Sequence, residues 1–228
     1  MHKIIIGVFA HPDDEAFGPA GTLLQATQAG AQLHLLLLTA GQAGANPDDA
    51  SDLGAIRLKE WQQAGELLGA TSMQHLGYSD GQLCNSSMIE IGHSLIDKAR
   101  TIAESVPGAA EIEFMSLDLN GYTGHIDHII AARAACYAFY ELKKTDPRFT
   151  QVRLACYPQT LLPSVNTDWI YAEAGRTPEE IGDIVDARAL RDQIIAIMGC
   201  HHSQRADYDY TLRMQGEELG LNYFVVKH

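Results

Sequence analysis

Two short clusters of histidine and carboxylate side chains carry the chemistry that this sequence can perform. The first cluster, His11-Pro-Asp13-Asp14-Glu15, follows an apolar, β-branched run. His11 and Asp14 offer nitrogen and oxygen donors of the kind that zinc accepts, and Asp13 is left beside them to take a proton. The same carboxylates could instead cap the helix that follows and complement its dipole. They would repel a phosphate, so the turn differs from the glycine-rich turn of a dinucleotide site.

The second cluster, His125-Ile-Asp127-His128, follows another buried run at residues 111–117. His125 and His128 are three residues apart at the start of a predicted helix, so both imidazoles can point at one place. Asp127 could orient one imidazole, or it could cap the helix while the histidines are merely exposed. In a parallel sheet both clusters would lie at the same edge, which favours a joint metal site.

The elements that must position these clusters alternate between strand and helix. Buried apolar runs predict strands at residues 3–10, 32–39, 71–78, 111–117, 152–157 and 222–227. Helical spacing predicts helices at 20–29, 87–106, 127–142 and 189–200, and one that Ser51 caps and Gly69 ends. This alternation predicts an α/β, Rossmann-like fold with a mostly parallel sheet and helices on both faces. We expect a single domain over residues 1–228, with a less regular lobe at about 158–188.

The composition of the chain restricts the classes of partner that it is expected to bind. The formal net charge is −13, and an acidic surface of this kind repels nucleic acid and anionic membranes. The apolar residues 1–10 are too short for a signal peptide or a membrane span. The four cysteines are scattered and are expected to be reduced thiols, which predicts a cytoplasmic protein. These features of the composition are also compatible with a homo-oligomer.

With these features in place, the chain resembles the LmbE-like, or PIG-L, family of N-acetylglucosaminyl deacetylases. Residues 10–15 (AHPDDE) match the most specific motif of that family, and residues 125–128 match its His-x-Asp-His motif. Further matches lie, in order, at residues 39–44, 57–60, 76–81 and 201–204. Residues 158–188 match no motif of the family, and Asn222 stands near the place where many relatives carry an acidic residue.

The resemblance implies a zinc-dependent hydrolase that removes an N-acyl group, expected to be acetyl, from an amino sugar or a glucosamine conjugate. Its metal ligands would be His11, Asp14 and His128. The catalytic set would be Asp13 as general base, His125 as general acid or oxyanion stabiliser, and Asp127. Arg57 and Asp80 would contact sugar hydroxyls, although they could instead form a salt bridge with each other or with neighbours. Fe2+ or another divalent ion could replace Zn2+ in vivo.

Such a site would hydrolyse an amide with a metal-bound water and two side chains that assist proton transfer. Three protein ligands leave zinc an open position for water, whose pKa the metal can bring to about 7. Asp13 would remove a proton, zinc and a protonated His125 would offset the charge on the carbonyl oxygen, and Asp13 or His125 would protonate the leaving amine.

Three other functions fit parts of the same pattern. Two histidines and a carboxylate also describe the iron site of non-haem iron(II) oxygenases, although an oxygenase has no need of the spare carboxylate Asp13. A catalytically silent sugar-binding module would keep the fold and bind without turnover. Within the family, an acyl group larger than acetyl could be removed.

Overall fold

The computed structural model describes residues 3–106, 111–166 and 171–228, and within these ranges the main sheet has seven strands. The strands are β1 (Lys3–Phe9), β2 (Gln32–Thr39), β3 (Ser72–Tyr78), β4 (Glu111–Leu117), β5 (Phe149–Cys156), β6 (Val165–Asn166), β7 (Tyr171–Ala172), β8 (Asp183–Asp186) and β9 (Leu221–Lys227). The sheet order is β3-β2-β1-β4-β5-β9-β8, whereas β6 and β7 form a separate antiparallel pair. The first five strands of the sheet are parallel, and β9 is antiparallel to both of its neighbours.

Helices cover both faces of this sheet, as the sequence predicts. They are α1 (Asp14–Phe17), α2 (Ala20–Gln28), α3 (Leu53–Leu67), α4 (Asn85–Ser105), α5 (Ile126–Lys143), α6 (Arg191–Gly199) and α7 (Arg205–Gln215). Side chains alternate across β1, so that Ile4 and Ile6 pack in the core under α4 and α5, while Ile5 and Phe9 pack in the core under α2, α3 and α6. The Rossmann-like α/β prediction is confirmed.

The order of the strands explains where the site must form. From β1 the chain proceeds outward to β2 and β3, and it then returns to place β4 on the other side of β1. The crevice beyond the carboxyl ends of two strands that separate in this way is the usual ligand site of an open α/β sheet. The clusters at residues 11–15 and 125–128 follow β1 and β4, so both open into this crevice.

Several local predictions were wrong. Ser51 does not cap α3; the cap is Asp52, whose carboxylate accepts a hydrogen bond of 2.9 Å from the N–H of Ala55. The helix predicted at 189–200 is shorter, because a 3-10 turn at Arg188–Leu190 precedes α6. The less regular lobe predicted at about 158–188 stays a prediction: this segment contains the short strand β8, which continues the main sheet, and its residues 167–170 lie outside the described ranges.

The sequence pattern also missed α7. Its residues, RADYDYTLRMQ, are mostly polar, and only Thr211 and Gln215 are buried. A helix with so narrow an apolar stripe gives little periodic signal. In the part of the chain that the structure describes, no helix combines the length and apolar character needed to cross a membrane.

Candidate active site

The turn after β1 fixes the carboxylate of Asp14 and leaves one of its oxygens available. Asp14 Oδ2 accepts hydrogen bonds from the backbone N–H groups of Ala10 (2.9 Å) and His11 (3.0 Å). The other oxygen, Oδ1, lies 3.1 Å from His128 Nε2. These contacts, together with neighbouring imidazoles, hold the pKa of Asp14 well below its usual range despite burial. Asp14 is therefore an anionic oxygen donor aimed at His128.

Both imidazoles of the cluster present a nitrogen to the same place. His128 Nδ1 donates a hydrogen bond of 2.9 Å to the carbonyl of Gly121, so a neutral His128 carries its lone pair on Nε2. That lone pair faces His11 Nδ1 at 2.9 Å. Zinc ligands held at bonds of about 2.0–2.1 Å in a tetrahedron lie about 3.3 Å apart. The distances from His128 Nε2 to His11 Nδ1 (2.9 Å) and to Asp14 Oδ1 (3.1 Å) are close to this value, so these donors suit a divalent cation.

The far side of His11 faces two more carboxylates. Its Nε2 lies 2.9 Å from Asp80 Oδ1 and 3.5 Å from Asp127 Oδ2. Burial alone would lower the pKa of His11, but Asp127, Asp80 and Asp14 outweigh it and raise this pKa to about 10. A carboxylate behind a metal-binding imidazole sets its orientation and strengthens it as a ligand. The same carboxylates concentrate negative charge that a divalent cation would offset.

Asp80 and Asp127 are themselves held by backbone groups. Asp127 accepts hydrogen bonds from the N–H groups of Gly81 (2.7 Å) and Leu83 (3.2 Å), and Asp80 Oδ2 accepts one from Ala43 (2.7 Å). The loop after β3 is thereby fixed against the start of α5. Asp80, predicted to contact sugar hydroxyls, lines the cavity but already uses both oxygens within the protein.

Asp13 lies beside the cluster but is not one of the three predicted metal ligands. Its φ of 118° is unusual for a residue other than glycine. Its carboxylate accepts a hydrogen bond of 2.8 Å from Arg57, and its backbone N–H donates to Glu15 Oε2 at 3.2 Å. Burial raises the pKa of Asp13, the charge of Arg57 offsets only part of that effect, and the pKa is about 6. A carboxylate with such a pKa can exchange a proton near neutral pH.

Arg57, the other predicted sugar contact, is enclosed by the protein. Besides Asp13, its guanidinium donates to the carbonyls of Pro12 (2.6 Å) and Gly41 (2.9 Å), and only 4% of the residue is exposed. A Cβ on Gly41 or Gly44 would lie within 2.5 Å of this guanidinium. The two glycines of the 39–44 motif are therefore required for Arg57 to reach Asp13.

We expect Arg57→Met to lower the free energy of unfolding by about 3–5 kcal/mol, because it leaves the buried Asp13 carboxylate without its cation. Urea denaturation measures the loss, and Arg188→Met, at an exposed pair with Asp186, should show no resolved change. If the pair explains the effect, Arg57→Met and Asp13→Asn will be less than additive in a double-mutant cycle. Additivity of the two changes would contradict this explanation.

His125 lies above the cluster as a hydrogen-bond donor. It is the N-cap of α5, and its Nδ1 accepts a hydrogen bond of 3.2 Å from the N–H of Asp127. Its ring centroid is 4.8 Å from that of His11 and 4.9 Å from that of His128. Burial and the two neighbouring imidazoles lower the pKa of His125 to about 4. A neutral His125 whose Nδ1 is an acceptor carries its proton on Nε2.

The predicted protonated form of His125 is thus not the form that these surroundings favour. His125 also lies close enough to His11 and His128 for the three imidazoles to form an alternative donor set. This set and the predicted set share His11 and His128 and differ in whether Asp14 or His125 completes them, whereas a third group, His11, Asp80 and Asp127, lies on the far side of His11.

The residues from 201 to 204 tie the C-terminal part of the chain to this site. His201 and Glu15 are both fully buried, and His201 Nε2 lies 2.8 Å from Glu15 Oε1. Ser203 donates to Glu60 from its backbone N–H (2.8 Å) and its hydroxyl (2.6 Å). The sequence match at these positions thus marks a buried anchor, whose partners lie far away along the chain.

Asn222 stands near the place where many relatives carry an acidic residue, and it too holds two distant segments of the chain together. Its Oδ1 accepts hydrogen bonds from the N–H and the hydroxyl of Thr22, both at 2.9 Å. These bonds connect β9 to α2, and Asn222 does not line the cavity above the His/Asp cluster.

This cavity has a volume of about 530 Å3. Its lining contains the His/Asp cluster and a group of apolar and aromatic side chains, Phe17, Leu117, Tyr122, Tyr157 and Leu162. Residues 43–45 and α7 also line it, and α7 contributes Asp207, Tyr210, Thr211 and Met214. No residue of α7 was predicted from the sequence to line this cavity.

The fold and the cluster define a Rossmann-like α/β protein with a His/Asp centre at the point where the strand order reverses. The chain belongs to the PIG-L family, whose model, described as GlcNAc-PI de-N-acetylase, matches residues 6–139. The suspected family is therefore confirmed, and this is a family of N-deacetylases.

Three comparisons illustrate the relationship. A probable N-acetyl-alpha-D-glucosaminyl L-malate deacetylase 2 of Bacillus anthracis is 32% identical over 157 residues, which cover 66% of each chain. A 1D-myo-inositol 2-acetamido-2-deoxy-alpha-D-glucopyranoside deacetylase of Salinispora arenicola is 28% identical, over 96% of this chain and 83% of its own. The structure of N,N'-diacetylchitobiose deacetylase from Pyrococcus horikoshii superposes with a TM-score of 0.68 at 20% identity, covering 99% of this chain and 82% of that chain, and supports the fold alone.

Proposed function

We propose that the protein is a metal-dependent N-deacetylase that removes the acetyl group from an amino sugar or a glucosamine conjugate. The observation that carries the proposal is the convergence of His11 Nδ1, His128 Nε2 and Asp14 Oδ1 beside the buried carboxylate of Asp13. The first three atoms suit a divalent cation, and the fourth group suits proton transfer. The relatives that act on acetylated glucosamine derivatives support the substrate class.

The metal would be zinc, with iron(II) or another divalent ion as the alternative, held by His11, Asp14 and His128. When bound, it would supply Lewis-acid polarisation and a water of lowered pKa. Asp80 and Asp127 would hold His11 in place from its far side. The amino-sugar substrate would enter through the cavity, whose volume is within the usual range for small-molecule sites.

The chain's own residues divide the proton transfers between them. Asp13 takes the proton of the attacking water, and Arg57 keeps the carboxylate in position for this. His125 donates a hydrogen bond from Nε2 to the substrate carbonyl oxygen as negative charge develops there. Asp13 then returns its proton to the leaving nitrogen, because burial and the neighbouring imidazoles lower the pKa of His125 and disfavour its protonated form.

The experiment that tests the function is a hydrolysis screen of N-acetylglucosamine conjugates with the zinc-loaded protein, with release of free amine as the readout. Simple acetamides without a sugar serve as the control. No amine from any conjugate would refute the deacetylase proposal, and binding without turnover would favour a silent sugar-binding module. Equal cleavage of simple acetamides would refute only the sugar specificity. Oxygen consumption by the iron(II)-loaded protein without amine release would favour the oxygenase alternative.

We also expect Asp80→Ala to lower kcat/KM for an N-acetylglucosamine conjugate by about tenfold or more, because Asp80 lines the cavity and faces His11 Nε2. Metal content must be measured in parallel. Lower activity with full metal content would support a role for Asp80 in substrate contact, whereas proportional loss of both would assign it to the support of His11. An unchanged kcat/KM would contradict both roles.

A further inference from the structure

The part of the cavity lining that α7 supplies includes an exposed aromatic ring and a carboxylate. Asp207 and Tyr210 both line the cavity, and their spacing of three residues puts them on the same face of α7. Tyr210 is 53% exposed, although large hydrophobic side chains are generally covered. Among the described residues, Asp207 has no hydrogen-bond or ion-pair partner. Neither side chain therefore has an evident role in holding the fold together.

Outside the His/Asp cluster, the described lining of this cavity offers no basic side chain free to receive an anionic substrate group. Its described lining contains no lysine, and Arg57 is its one arginine. The guanidinium of Arg57 is already bound to Asp13 and to two backbone carbonyls. Arg205, next to the start of α7, is paired with Asp48 by two hydrogen bonds of 2.8 and 2.6 Å. Asp207 thus faces the cavity as a carboxylate that no basic side chain binds directly, although the charge of Arg57 acts on it from a distance.

The cavity is also larger than the acetylated ring alone requires. A volume of about 530 Å3 falls in the range of cavities that enclose drug-sized ligands. Because the His/Asp cluster and α7 line the same cavity, a sugar whose acetamide reaches the cluster leaves space in it for the group attached to that sugar. Asp207 and Tyr210 are the side chains that this attached group would meet.

We propose that Asp207 and Tyr210 form a subsite for a neutral, polyhydroxylated group attached to the amino sugar, such as a second sugar or a cyclitol, and that this subsite disfavours an anionic group. The inference rests on the proposed deacetylase function and specifies its substrate class. The carboxylate of Asp207 can accept hydrogen bonds from two hydroxyls. The ring of Tyr210 offers a flat apolar surface with a polar end. An anionic group would lose these contacts and meet like charge.

The test compares three acetylated substrates with the zinc-loaded protein: the methyl glycoside of N-acetylglucosamine, N,N'-diacetylchitobiose and an N-acetylglucosaminyl malate. We expect kcat/KM to be highest for the neutral disaccharide and lowest for the malate conjugate. Tyr210→Ala should lower kcat/KM for the disaccharide by about threefold to tenfold, as expected for the loss of an aromatic contact, and leave the methyl glycoside unchanged. Asp207→Lys should raise kcat/KM for the malate conjugate and lower it for the disaccharide.

The matched control is Asp209→Asn, at an exposed carboxylate of the same helix that does not line the cavity. It should leave all three values unchanged. A parent protein that prefers the malate conjugate, or variants that alter all three substrates alike, would overturn the subsite. Failure to cleave any of the three would instead overturn the proposed function, so the two failures are distinguishable.

Discussion

Asp13→Asn is expected to lower kcat by about 10²-fold or more while the metal content stays at the parental level. The substitution keeps a side chain of the same shape beside Arg57, but an amide cannot take a proton from water. A positioned general base contributes about 10²–10⁴-fold to a rate, which sets the expected loss. Steady-state release of amine measures the rate, and elemental analysis of the same preparation measures the metal.

Glu60→Gln is a suitable control for this change, because Glu60 and Asp13 are equally buried at 9% exposure. Glu60 bonds to Ser203 and has no contact with the cluster, so kcat should stay within a few-fold of the parent. A parental rate in Asp13→Asn would remove Asp13 from the role of base. A loss of metal in that variant would place Asp13 among the ligands.

His11→Ala and His128→Ala are expected to abolish stoichiometric metal binding, and with it all measurable turnover. The parent should bind about one zinc or similar divalent ion per chain, because the described residues converge on one centre. Metal that binds only the folded state also stabilises it, so a chelator should lower Tm of the parent but not of these variants. Calorimetry and elemental analysis provide the two measurements.

His125→Ala distinguishes the two candidate donor sets. If Asp14 completes the site, this variant keeps its metal and loses rate, whereas a three-imidazole site would lose both. His93→Ala is the control, because His93 is exposed on α4 and should change neither metal nor rate. Full metal occupancy in both His11→Ala and His128→Ala would show that the ligand assignment is wrong.

The parallel core and the convergence of the two clusters could be predicted, because both follow from patterns within short stretches of the sequence. Buried strands in a parallel sheet read as continuous apolar runs, and residues 3–10 and 32–39 are of this kind. Two clusters that each follow such a strand must meet at the carboxyl edge. His11 and His128 could therefore be paired across 117 residues without knowledge of any contact between them.

The surroundings of the cluster could not be predicted, because they depend on contacts between distant segments. Nothing near Arg57 in the sequence indicates that its guanidinium reaches back to Asp13 across the 39–44 loop. Asp80 gives no local sign that it faces His11. The position of α7 follows from the anchor at His201, which bonds to Glu15 across 186 residues. Composition and periodicity carry no information on such pairings.

The separation between the His/Asp cluster and α7 has a consequence for how such a protein can evolve. The residues proposed for the reaction lie within 6–139, the range that the family model matches, whereas α7, which supplies part of the cavity lining, lies beyond that range. The helix is held by His201 and Ser203, which precede it, so Asp207 and Tyr210 can change without loss of the anchor. Evolution can thus change the proposed subsite while the residues proposed for the reaction are kept.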